Sequence, residues 1–114
     1  MKYKKIHVLC LCQGGNVRSV ALAYLLKQKY GIDAIAASLK YNTDTTISTL
    51  IQWSDRVIVV ADDLMDEFRT RFPEHIRKAG VYPIGPDVWG NPIRKSLLHL
   101  CEMAIQNDPE WPKA

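Results

Sequence analysis

Long hydrophobic runs are missing from this chain. No segment approaches the roughly 20 consecutive apolar residues of a membrane-spanning helix. The apolar stretch after Lys5 is short, broken by "QGGN", and lacks a small-residue cleavage pattern. Neither a membrane association nor a secretory leader is therefore expected. Cysteine is scarce as well: Cys10, Cys12 and Cys101 make three, an odd count with neither disulfide-framework nor zinc spacing. With no histidine pair beside them, no metal and no cofactor is expected. Reduced thiols point to the cytoplasm.

An excess of one charge is also lacking. A net charge of +3 is too small to argue for a nucleic-acid partner. The Lys-rich start "MKYKK" reads as a solvated lead-in to a strand. With 24% charged and 47% hydrophobic residues, the composition is that of an ordinary globular protein. A length of 114 residues suits one domain spanning 1–114 with a core of its own. No repeat or linker interrupts it, and the sequence leaves the oligomeric state open.

What is present is an alternation of short and long apolar segments, the mark of βα units and a parallel sheet. "KIHVLCL" reads as a strand buried on both faces, and "RSVALAYLLKQKYG" as a helix stopped by Gly31. "DAIAAS" is a small-residue strand, and "DTTISTLIQW" a helix with Thr or Asp at its start. "DRVIVVA" is the strongest strand. "DDLMDEFRTRF" follows as an amphipathic helix capped by Asp62 or Asp63, and "GVYPIG" as a short fourth strand. Asn91 and Pro92 are expected to open a last helix through "IRKSLLHLCEMAIQ", and "NDPEWPKA" is a polar tail. The fold class is α/β: a three-layer sandwich, with a four-stranded parallel sheet and helices on both faces (flavodoxin-like, doubly wound).

In such sheets ligands bind beyond the carboxyl ends of the strands, at the switch point, and there the first strand runs into "CQGGNVRS". A loop of five residues between Cys12 and Arg18 must curl, so that Gln13, Gly14, Gly15, Asn16 and Val17 turn backbone N–H groups toward its middle. Such nests, ahead of a helix N-terminus, bind anions. Gly14 and Gly15 permit positive φ and close approach to a ligand, and Asn16 can brace the loop through its amide. Arg18 adds a planar donor fork for two oxygens of a tetrahedral oxyanion. Cys12 at the mouth is then a nucleophile in a setting that favours thiolate, with the Ser19 hydroxyl available to the sulfur. Cys10, two residues earlier in the strand, reads as core, and Cys101 as the buried face of the last helix.

The stretch "VLCLCQGGNVRSVALA" resembles the signature of the low-molecular-weight protein tyrosine phosphatase family, C-x5-R-S between a first strand and a first helix. "WSDRVIVVADD" is similar to that family's strand ending in Ala-Asp. The resemblance covers most of the chain, which is short and closer to compact bacterial and phage-like members. It implies hydrolysis of a phosphotyrosine-containing protein or a small aryl phosphate through a phosphocysteine. The chain departs from the pattern at Gly15, where the family usually has Asn, and at Val17, where a second thiol often stands.

A phosphate ester also needs its leaving oxygen protonated, and Asp87 in "YPIGPDVWGNP" is the candidate acid. The family carries an acid in an Asp-Pro-aromatic loop at this place; here Val88 replaces the proline and Trp89 follows. Trp89 and Tyr41 are candidates for the substrate pocket, with Lys40 at its rim. Three alternatives share the scaffold. Thiol-dependent arsenate reduction would need Cys10 or Cys101 as a relay. A phosphocysteine carrier would not need Arg18. A binding module would keep the cradle without turnover.

Overall fold

The computed structural model describes residues 6–14, 17–84 and 94–109 of the chain. Its first strand, β1 (His7–Cys12), is buried from Val8 through Cys12, as a strand covered on both faces must be. β2 (Asp33–Ser38), β3 (Arg56–Val59) and β4 (Ala79–Val81) complete an all-parallel sheet in the order β2-β1-β3-β4. The expected α/β class and the four strands are thus observed, although β3 is shorter than "DRVIVVA" and β4 keeps only three residues of ladder.

Helices alternate with the strands. α1 (Arg18–Tyr30) buries Ala21, Leu22 and Leu26 and stops at Gly31, whose φ of 65° is the left-handed conformation glycine adopts freely. There the N–H of Ile32 reaches the Leu26 carbonyl at 3.0 Å and that of Gly31 the Lys27 carbonyl at 3.3 Å, a Schellman closure. α2 (Asp44–Trp53) begins on Thr43, whose hydroxyl accepts the Thr46 N–H at 3.2 Å. α3 (Asp62–Arg71) buries Leu64, Met65 and Phe68. α4 (Lys95–Gln106) buries Leu97, Cys101 and Ile105 at helical spacing. Since β-α-β crossovers are right-handed, the reversal of strand order at β1 sets α1 on one face and α2 and α3 on the other. α4 packs against α1.

Three details differ from the sequence reading. The cap of α3 is Ala61, and Asp62 and Asp63 lie in its first turn without a side-chain capping bond, where they meet the helix dipole instead. α4 starts at Lys95, so Pro92 is not its first helical residue; Asn91 and Pro92 lie outside the described residues. Between α3 and β4 the segment Pro73–Lys78 forms a 3-10 helix that the pattern did not signal, and Lys78 donates to the Ile51 and Ser54 carbonyls at 2.8 Å, closing the end of α2. The start of the polar tail is also engaged. Asp108 pairs with Arg56 and accepts from the Tyr82 hydroxyl at 2.8 Å.

Candidate active site

The carboxyl end of β1 is the point where the chain's connections part to either side of the sheet, the usual ligand position in this architecture. Cys12 is the last residue of β1, and its Sγ lies 3.1 Å from Oγ of Ser19, the second residue of α1. Ser19 is fully buried, so its hydroxyl is committed to this environment. Arg18 is the first residue of α1 and is 5% exposed. Val17 precedes the helix and accepts the Ala21 N–H at 2.8 Å, so the unsatisfied N–H groups of the first turn face the loop. Sulfur, hydroxyl and helix N-terminus are therefore assembled in one place.

Gln13 is exposed and Gly14 half-buried. Gly14 does not use the positive φ that its lack of a side chain permits. A side chain there would meet nothing within 4 Å among the described residues. Among the described residues, nothing fills the space over Gly14. Gly15 and Asn16, also expected in the loop, lie outside the described residues, as do Asp87 and Trp89. Toward Asp87, the chain leaves β4 and continues along β3: Tyr82 donates to Val59 at 2.9 Å and Ile84 to Val60 at 3.4 Å. Val60 in turn donates to Leu11 in β1, so Ile84 sits at the same carboxyl end as Cys12.

Tyr41 stands on the loop after β2, 69% exposed, with the Lys40 ammonium 5.3 Å from its ring centroid. Backbone bonds tie this loop to the site: Leu39 N–H to the Cys12 carbonyl at 3.0 Å, and Lys40 N–H to the Gln13 carbonyl at 3.1 Å. Sequence reasoning missed Ser38, Asn42 and Arg71, which build this connection. The Asn42 side chain accepts the Ser38 N–H at 2.7 Å, and Arg71 donates to the Leu39 carbonyl while binding Asp44 and Glu67. Burial would lower the Arg71 pKa, but the two carboxylates outweigh it and raise it. Ser and Asn at the end of a strand are turn formers; only that weak signal marked them.

The other two thiols lie deeper in the core, each fully buried. Burial pushes the Cys10 thiol far up, helped by neighbouring Cys101 and Cys12, and burial pushes Cys101 up to about 12. Both are neutral packing groups, as read from the sequence. A cleft of about 580 Å³ lined by Ile6, Arg56, Arg77 and Lys78 lies at the opposite, amino end of the strands. Among the described residues, no group of three or more His, Cys, Asp or Glu side chains is arranged to hold a metal ion.

The sheet order defines a doubly wound α/β protein, and solved structures of small tyrosine and arginine phosphatases share its fold. In particular, the chain resembles the tyrosine phosphatase Wzb from Escherichia coli K30, solved with phosphate, at TM-score 0.67, 17% identity and coverage of 90% of this chain and 95% of that one. It resembles the YwlE arginine phosphatase from Geobacillus stearothermophilus at TM-score 0.64 and 18% identity, covering 89% and 86% of the two chains. Wzb from Vibrio vulnificus, solved with benzylphosphonate, matches at TM-score 0.63 and 15% identity over 90% and 94%. No family model and no curated protein matches the sequence. At these identities the likeness is one of fold, and the fold is the one that the C-x5-R-S resemblance implied. No helix among the described residues is long and apolar enough to cross a membrane.

Proposed function

We propose that this protein is a phosphomonoester hydrolase that works through a phosphocysteine, with phosphotyrosine-containing proteins or small aryl phosphates as its substrate class. The observation that carries the reading is the contact of Cys12 Sγ with Ser19 Oγ at 3.1 Å, at the N-terminus of a helix opened by the buried Arg18. Cys12 attacks phosphorus and the P–O bond to the leaving group breaks. Arg18 and the backbone N–H groups of residues 13 to 17 hold the three remaining oxygens as charge builds on them. Asp87 supplies the proton that the leaving oxygen takes up. Water then attacks the phosphocysteine with Asp87, now ionised, receiving its proton, and inorganic phosphate departs. The Ser19 hydroxyl stabilises the sulfur as it leaves. Exposed Tyr41 offers a flat wall to an aryl group.

Phosphate and benzylphosphonate, bound to the Wzb proteins, are the kinds of ligand this cradle would take. Arsenate reduction is disfavoured, because both thiols that could relay a disulfide are buried and neutral. Buried thiols without a disulfide framework accord with a cytoplasmic setting. The test is p-nitrophenyl phosphate hydrolysis across pH. Cys12→Ser should abolish turnover, and Asp87→Asn should cut kcat by roughly 10²–10⁴-fold while removing the basic limb of the profile. Undiminished turnover by Cys12→Ser would overturn the assignment.

A further inference from the structure

We propose that Ser38 is a positioning residue for the phosphate cradle: its hydroxyl fixes the orientation of the peptide unit that follows the nucleophile. Ser38 is the last residue of β2 and stands directly opposite Cys12 in the parallel ladder. It is 4% exposed. Its hydroxyl donates to the Gln13 carbonyl at 2.5 Å and accepts the N–H groups of Lys40 at 3.1 Å and Tyr41 at 2.9 Å. A serine hydroxyl has one donor and two acceptor sites, so its capacity is fully used.

The consequence follows from the planarity of the peptide bond. In a trans peptide the carbonyl and the next N–H point to opposite edges of one plane, and none of the described peptide bonds is cis. Holding the Gln13 carbonyl toward β2 therefore turns the Gly14 N–H the other way, toward the loop's interior. The same holds one residue earlier, where the Leu39 N–H holds the Cys12 carbonyl at 3.0 Å and so turns the Gln13 N–H inward. Two oxyanion donors are thus aimed from outside the loop, by β2 and the turn after it. Among the described residues Ser38 is the only side chain in this set, and it bonds the cradle and the Lys40–Tyr41 rim at once. Pinning before the ligand arrives is what makes such donors effective, since none has to reorganise during the reaction.

This inference rests on the phosphate-cradle reading above, and its test separates the two. Inorganic phosphate is used as the probe, through its protection of Cys12 from iodoacetate, alongside p-nitrophenyl phosphate hydrolysis. Ser38→Ala should weaken phosphate binding roughly three- to tenfold and lower kcat/KM by a similar factor, as expected for one hydrogen bond. Ser38→Thr, which keeps the hydroxyl, should restore both to within about twofold. Thr43→Ala loosens the start of α2 just beyond this turn without touching Ser38 or the Gln13 carbonyl, so it should lower Tm yet leave phosphate binding within about twofold. Phosphate affinity unchanged in Ser38→Ala would overturn the proposal. So would equal weakening in Thr43→Ala, which would assign the effect to loop order. Protection by phosphate without hydrolysis in the wild-type protein would remove the hydrolase reading and leave Ser38 judged by protection alone. An absence of protection in the wild type would overturn both.

Discussion

At the scale of residues, two thiols separated by one leucine have opposite fates. Cys10 and Cys12 lie on the same side of β1, yet Cys10 meets α4, with Cys101 beside it, whereas Cys12 meets the hydroxyl of Ser19 at the start of α1. Iodoacetamide at about pH 8 should therefore modify Cys12 in the folded protein and spare Cys10 and Cys101, whose thiols burial keeps neutral. Peptide mapping by mass spectrometry checks this, with all three modified in denaturant; labelling of Cys10 under native conditions would contradict its burial. Removing the Ser19 hydroxyl acts on the sulfur proposed as the nucleophile. Ser19→Ala should slow phosphocysteine breakdown more than its formation, seen as a larger burst of p-nitrophenol relative to the steady state.

At the scale of elements, most helices and strands could be read from local pattern because their boundaries rest on local chemistry. β2 and α2 are found at the residues read from sequence, since Thr43 caps α2 with its own side chain and Gly31 ends α1 in a conformation glycine favours. Thr43→Ala should cost about 1 kcal/mol, and Gly31→Ala about 1–2 kcal/mol from the left-handed backbone alone, both read from denaturant midpoints. Boundaries set by tertiary contacts were less legible. α3 has no side-chain cap, β4 pairs with β3 over only three residues, and the 3-10 helix at Pro73–Lys78 is fastened by a lysine to the end of α2.

At the scale of the whole molecule, contacts distant in sequence hold the last helix and the tail to the sheet. Arg56 at the start of β3, Tyr82 after β4 and Asp108 after α4 form one partly buried cluster. Asp108→Ala would leave the guanidinium without this carboxylate and should cost on the order of 3 kcal/mol in urea unfolding. A second link joins α4 to α1. Burial works to raise the Glu102 pKa, but the Tyr30 hydroxyl at 2.5 Å, the Lys29 ammonium at 2.9 Å and the Gln106 amide together lower it. A carboxylate lowered on folding stabilises the protein above its unfolded pKa, and that contribution is lost as pH falls through the folded value. Stability should therefore decline on acidification below the ordinary glutamate range, and Glu102→Gln should flatten that decline in a series of melting curves.

The sequence by itself determined the alternation of strands and helices, the α/β class and the candidate nucleophile, because each depends on periodicity or on residues within one turn of chain. Cys12, Arg18 and Ser19 lie within eight residues, so their convergence needed only a strand, a short loop and a helix. Tertiary structure decided what secures that loop. Ser38 and Arg71 are 26 and 59 residues beyond Cys12 in sequence. Parallel pairing alone brings Ser38 opposite the thiol, and packing of α3 carries Arg71 to the Leu39 carbonyl. Backbone carbonyls carry no side-chain signature, so no pattern of residue types could announce which hydroxyl would hold them.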